Sequence, residues 1–231
     1  MLIGGFQKSS LIDYKGRIAA VVFLQGCNFL CPYCHNPELV FPKVFGLFRE
    51  DEIISFLKTR INKLDGVVIS GGEPTLHKKL PEFIEKIKEL DFEIKLDTNG
   101  TNPDMIEQLV HENLIDYIAM DIKTSFDDYE KVVKKEVDIN KIKKSFDFII
   151  NSNVDYEFRT TITSGLIAYD NFVKINDEFK KYGKIKRYYL QKFQPSKHVD
   201  PSFSDKKTFD DTEFDKLKEL FKDSVEFIEV R

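Results

Sequence analysis

Short apolar runs alternate with helix-period stripes along most of this 231-residue chain, and that alternation leaves few ways to fold. Ile18 to Gln25 reads as a buried strand, and Gly66 to Ser70, Phe92 to Asp97, Ile115 to Met120, Asp155 to Thr161 and Ile185 to Gln191 each read as a strand. Between them, Ile53, Ile54, Leu57 and Ile61 fall on one helical face, and Leu80, Phe83, Ile84, Ile87 and Leu90 on another. Asn102-Pro103-Asp104 supplies an N-cap, a proline at the first helical position and an acid in the first turn, opening a helix to about His111. Further helices are expected over about Lys141 to Asn151 and through Phe172, Ile175, Phe179 and Tyr182, where Gly183 can close the last turn. Ser125 to Ile139 is polar and reads as irregular. Six strand–helix units in succession predict an α/β fold around a parallel sheet. Six are too few for the usual eight-stranded closed barrel, so the expectation is an open, partial (β/α)6 barrel with one side free for a large substrate. After Pro195 the chain becomes loop-like, Thr212 can cap a last helix through Phe214, Leu217, Leu220 and Phe221, and Val225 to Val230 reads as a final strand. Residues 1–231 are expected to form one domain, with 196–231 as a C-terminal extension packed on it.

Composition narrows the functional classes. Apolar residues make up 42%, enough for an ordinary core, and 21 Phe with no Trp assign most large aromatic packing to Phe. The net charge of −4 is scattered, and the lysines interleave with Ile, Leu and Phe at helical spacing. They read as solvated helix faces, so no nucleic-acid partner is expected. No apolar run approaches the roughly 20 residues of a membrane span, and no signal-peptide pattern opens the chain. The expected location is a reducing cytoplasm, because three clustered cysteines cannot all pair as disulfides.

Those cysteines, Cys27, Cys31 and Cys34, are the only ones in the chain and follow the first predicted strand with C-x3-C-x2-C spacing. Three thiolates at this reach can hold three corners of an iron–sulfur cube and leave a fourth iron without a cysteine. An iron with an open position can bind and activate a small molecule, as an open zinc site does. With His35 the same thiols supply four potential zinc ligands, although a histidine directly beside Cys34 makes tetrahedral closure awkward.

Polar clusters follow the other strands too, where parallel α/β folds gather their ligands. Gly71-Gly72-Glu73-Pro74 follows the second strand, Asp97-Thr98-Asn99-Gly100 the third, and Met120-Asp121-Ile122-Lys123 the fourth. Arg159 lies in the fifth, and Gln191, Phe193 and Gln194 end the sixth. Adjacent glycines admit a ligand close to the backbone and leave N–H and C=O groups free for it, or simply make a tight turn. Asp97 and Asp121 can bind a cation, anchor hydrogen bonds or cap loops. Lys123 and Arg159 can meet a carboxylate or form structural ion pairs. Tyr33 can stack on an adenine or pack in the core. His77, His111 and His198 lie in polar contexts and read as surface residues.

Together these motifs resemble the radical S-adenosylmethionine (SAM) superfamily, and within it the activases of glycyl radical enzymes. Ser10-Leu11-Ile12-Asp13-Tyr14 through Cys34-His35-Asn36-Pro37-Glu38-Leu39-Val40 is similar to activating proteins of anaerobic ribonucleoside-triphosphate reductase. The resemblance covers roughly residues 1–195 and implies that Cys27, Cys31 and Cys34 hold a [4Fe–4S] cluster whose fourth iron SAM chelates. It implies that Gly71, Gly72 and Glu73 hold the methionyl amino end, and that Tyr33 and His35 border the adenine. Asp97, Thr98, Met120 and Asp121 match positions that can surround a monovalent cation. Lys123 and Arg159 match basic residues near the methionyl carboxylate, and Asn99 joins the pocket. Gln194 stands where many pyruvate formate-lyase activases have a histidine after the sixth strand, and it can still donate and accept hydrogen bonds. The implied partners are a glycyl radical enzyme and a flavodoxin or ferredoxin-like reductant. The alternatives are a single-cluster enzyme acting on a small molecule, such as 7-carboxy-7-deazaguanine synthase, and a non-catalytic zinc module.

Overall fold

The structure, a computed structural model, describes residues 1–42, 47–196 and 200–231. Its sheet has eight strands among the described residues, in the order β1 to β8. They are β1 Ile3–Ser10, β2 Ala19–Leu24, β3 Gly66–Gly71, β4 Glu93–Thr98, β5 Tyr117–Asp121, β6 Asp155–Ile162, β7 Ile185–Lys192 and β8 Val225–Val230. From β2 to β8 every neighbouring pair is parallel, and β1 pairs antiparallel with β2. The α/β fold and the six inner strands are those expected. The antiparallel β1 was not expected: its sequence, with Gly4-Gly5 and an exposed polar end, carries no apolar run.

The helices are α1 Glu50–Lys58, α2 Leu80–Lys88, α3 Pro103–His111, α4 Tyr129–Val133, α5 Ile139–Asn151, α6 Tyr169–Lys180 and α7 Asp211–Phe221. Asn102 caps α3 as its sequence predicts, its side chain accepting from the Met105 N–H. Three readings change. Helix α1 ends at Lys58, so Ile61 leaves the buried face and is 43% exposed. Asp210, not Thr212, caps α7, accepting from the Glu213 N–H at 2.8 Å. The supposedly irregular segment holds α4, whose Tyr129, Val132 and Val133 are buried at i, i+3 and i+4 spacing.

Strand alternation divides the sheet into two faces. Val22, Val67, Ile69, Ile94, Leu96, Ile118 and Phe158 pack under the helices in the main core, while Ala19, Val21 and Val68 form a small cluster with Tyr14 on the other side. Eight strands laid flat would span about 34 Å. Here Lys15, just beyond β1, reaches Glu229 of β8 at 3.0 Å and lies 4.7 Å from the Phe227 ring. The sheet therefore curls, and the second face becomes an inner wall carrying Ser70, Lys95, Asp97, Asp121, Glu157 and Arg159.

Phe146 of α5 anchors the helical layer against Phe158 at 4.5 Å, Tyr182 at 5.3 Å and Phe179 at 5.6 Å between ring centroids. Phe146→Ala is expected to destabilise the apoprotein by about 3–5 kcal/mol through lost burial and a residual cavity, read as a lower urea midpoint. A midpoint matching the wild type would show that α5 is not held by this ring.

Candidate active site

The loop after β2 is tied down along its length. The Gly26 N–H donates to Leu39 O at 2.7 Å, Cys27 N–H to Val40 O at 3.1 Å and Leu30 N–H to Val133 O at 2.9 Å. His77 closes on the Gln25 carbonyl at 2.8 Å, so it is half-buried and fixes this loop rather than lying free on the surface. His111 is exposed as expected, and His198 lies outside the described residues.

Cys27, Cys31 and Cys34 all open onto one cavity of about 210 Å³, walled also by Tyr33, His35, Gly71, Gly72, Asn99, Asp121, Lys123 and Thr161. Burial pushes the Cys27 thiol up to about 12, although the Phe29 N–H donates to its sulfur at 3.4 Å. Burial also raises Cys31, and Lys123 opposes that shift. Tyr33 is only 4% exposed, and its buried hydroxyl faces the Cys31 thiol. His35 stacks on Phe193 and meets the Gln194 backbone carbonyl at 2.9 Å, while Gln194 itself is exposed outside the cavity wall. Among the described residues no three His, Cys, Asp or Glu side chains converge on a single metal ion.

The glycine turn is a spacer between strands. A Cβ on Gly71, where φ is +120°, would lie 2.3 Å from Leu24 O, and one on Gly72 would lie 2.2 Å from Gly26 O. The Gly72 N–H, which the sequence left either free for a ligand or bound in a tight turn, donates to Leu24 O, and the Glu73 N–H donates to Gly26 O, both at 2.8 Å. Glu73 is fully buried and accepts from Thr75 N–H at 3.1 Å, Thr75 Oγ1 at 2.5 Å, Thr98 Oγ1 at 2.8 Å and Asn99 N–H at 2.6 Å. Burial raises its carboxyl above the usual range against those hydrogen bonds. Glu73 thus ties the turn after β3 to the turn after β4. Asn99 extends the tie by donating to Asn28 of the cysteine loop at 2.9 Å.

Asp97, Asp121, Lys123 and Arg159 meet in one network, as their strand-end positions allow. Arg159 Nε bonds Asp121 at 2.8 Å and its Nη1 bonds Asp97 at 3.3 Å, and Lys123 meets Asp121 at 2.8 Å. Thr98 and Met120 do not join them: they pair across β4 and β5 one residue along, on the opposite face. Sequence reasoning missed Lys95, 3% exposed and 2.9 Å from Asp97. A lysine inside the apolar run of β4 was the available signal. It also missed Tyr129, whose hydroxyl accepts from the Lys123 N–H at 3.1 Å. A roomier hollow of about 530 Å³ lies at the opposite strand ends, but its ions are already paired, Arg17 with Glu93 and Arg187 with Asp155.

Burial alone would raise Asp121, but Arg159 and Lys123 override it and hold the carboxyl at about 2, against an ordinary 3.8. A folded-state value below the unfolded one stabilises the fold above about pH 4, and that contribution is lost as pH falls toward 2. Asp121→Asn should therefore lower stability at pH 7 and lose less of what remains between pH 4 and pH 2, measured by urea unfolding of the apoprotein. Parallel acid limbs for variant and wild type would remove the network from the account.

Comparison with known proteins agrees with this geometry. The family model described as the Radical SAM superfamily matches residues 21–181. A Methanocaldococcus jannaschii protein provisionally named a glycyl-radical enzyme activating enzyme is 36% identical, covering 100% of this chain and 95% of its own length. The 7-carboxy-7-deazaguanine synthase of Methanothermobacter thermautotrophicus is 36% identical over 47% of this chain and 42% of that protein. Among solved structures, Streptococcus suis SuiB bound to S-adenosylmethionine aligns with a TM-score of 0.67 at 15% identity, covering 91% of this chain and 51% of that one, a likeness of fold. Three thiols on a single cavity at the strand ends of this sheet, with a family match across its strands β2 to β6, make the chain a member of the radical SAM superfamily.

Proposed function

We propose that this radical SAM enzyme generates a glycyl radical on a partner enzyme, with anaerobic ribonucleoside-triphosphate reductase as the first candidate and a flavodoxin or ferredoxin-like protein as electron donor. The observation that carries the reading is the cavity onto which three thiols, a glycine turn and the Asp121–Lys123 ion pair all open. The full-length match to a relative provisionally named as an activase supports it over the deazaguanine synthase alternative, whose match spans about half the chain. The sequence from Ser10 to Val40 motivates the choice of reductase.

The residues fit the iron–sulfur cluster and the SAM that this family implies. Cys27, Cys31 and Cys34 would hold three irons of a [4Fe–4S] cluster, and no further cysteine exists for the fourth. When bound, the cluster and SAM supply a one-electron cleavage that yields methionine and a 5′-deoxyadenosyl radical able to take a Cα hydrogen from glycine. With the Gly72 and Glu73 amides committed to β2, the turn offers carbonyl oxygens, which suit an ammonium group. Lys123 and Arg159 outweigh Asp121 locally and suit a carboxylate. Tyr33 and His35 wall the space where an adenine would lie, and Phe29 and Val40 exclude water there.

Cys31→Ala removes one iron bond with no spare thiol to replace it. The anaerobically reconstituted variant should make no 5′-deoxyadenosine above background, and wild-type turnover would defeat the cluster assignment.

The substrate is tested with the reduced enzyme, SAM and a partner whose target glycine carries deuterium at Cα. Deuterium should pass into 5′-deoxyadenosine while the partner gains a doublet in its electron paramagnetic resonance spectrum. Transfer from a purine or pterin instead, with none from any glycyl radical enzyme, would overturn the activase reading and leave family membership intact.

A further inference from the structure

Asp121, which lines the cavity, and Asp97, joined to it through Arg159, are neutralised from within the chain. Asp97 Oδ1 lies 2.9 Å from Lys95 Nζ and 3.3 Å from Arg159 Nη1, and its Oδ2 accepts from Ser70 Oγ at 2.9 Å. Asp121 Oδ1 accepts from Arg159 Nε and its Oδ2 from Lys123 Nζ, each at 2.8 Å. Every carboxylate oxygen therefore has a donor, and two anions face three cations. The other two residues of the matched cation positions are turned away. Thr98 Oγ1 is engaged by Glu73 and by the Gly100 N–H, and the Met120 side chain sits in the main core. An alkali ion needs several oxygens free to replace its hydration shell, and surroundings whose charge favours it. This network offers a positive surplus and oxygens already in use, so a monovalent cation does not fit the side chains present.

We propose that Arg159, which stands behind the pocket's Asp121 with Lys95 and Lys123 on either side, is the built-in cation of this network, and that SAM binds in the cavity without sodium or potassium. Arg159 is suited to the role because its planar guanidinium bridges two carboxylates from fixed positions, whereas an ion must be drawn from solvent and stripped of water. The inference rests on the reading of this cavity as the SAM site.

One arm of the test needs no SAM. Equilibrium dialysis of the wild-type protein against radioactive rubidium in choline chloride should show no saturable uptake, and uptake saturating at one ion per chain overturns the proposal. The second arm titrates SAM calorimetrically into the anaerobically reconstituted enzyme, in potassium chloride and in choline chloride at equal ionic strength. Affinities within about twofold are expected, and a loss of about tenfold or more in choline chloride overturns the proposal. If SAM binds in neither salt, the cavity reading falls, and the rubidium arm still decides the question of the ion. Arg159→Gln, checked for folding by circular dichroism, uncovers Asp97 and Asp121 and should gain saturable rubidium uptake, while Arg159→Lys should not. A folded Arg159→Gln protein that takes up no rubidium would show that the guanidinium is not holding an ion's place.

Discussion

The site depends on two backbones being able to touch. Gly72 rests against Gly26 so closely that a single methyl group would collide with a carbonyl oxygen. That contact lets the turn after β3 continue hydrogen bonding to the turn after β2, beyond the ends of the strands themselves. Cys27 follows Gly26 directly, so its position is inherited from the sheet rather than from a free loop. Glu73 then carries the same registration to the turn after β4 through donors on Thr98 and Asn99. A buried carboxylate without a counter-ion is costly unless its lone pairs are filled. Its four donors answer that cost and fix three turns relative to one another.

Much of this was legible in the sequence, for a physical reason. Strands buried on both faces must be short, apolar and β-branched, so β2 to β7 announce themselves. Ligand-binding residues must interrupt that pattern at one end, so the cysteine loop and Asp97, Asp121, Lys123 and Arg159 stand out by position. The edge strand β1 is half solvated and held mainly by its ladder to β2, so its side chains carry little signal. Lys95 was hidden in plain view: in a strand, one charged residue among apolar ones reads as a solvated face until the sheet is known to curl. The direction of Glu73 was also beyond the motif. Gly-Gly-Glu-Pro marks a special turn, but whether its acid faces a ligand or its own fold depends on Thr98 and Asn99, 25 and 26 residues further along.

The cavity joins two kinds of environment. Cys27 and Cys31 sit where burial opposes ionisation, and beside them a compact set of fixed charges supplies a positive field. Groups already paired to one another need little rearrangement when an anion arrives, which is the economy of a preorganised site. Tyr33 joins the two environments: its ring is packed, and its buried hydroxyl faces the Cys31 thiol.

The curl of the sheet has a different kind of support from its rungs. From β2 to β8 the wall is stitched by parallel backbone ladders in continuous register, but where Lys15 meets Glu229 it is joined by a half-exposed ion pair and an ammonium lying over an aromatic ring. Such a joint is weak and screened by salt, whereas the ladders are not. The curled sheet is thus a spring with a clasp: its stiffness belongs to the ladders, and of the contacts that hold its two ends together the Lys15–Glu229 pair is the one that ionic strength weakens first.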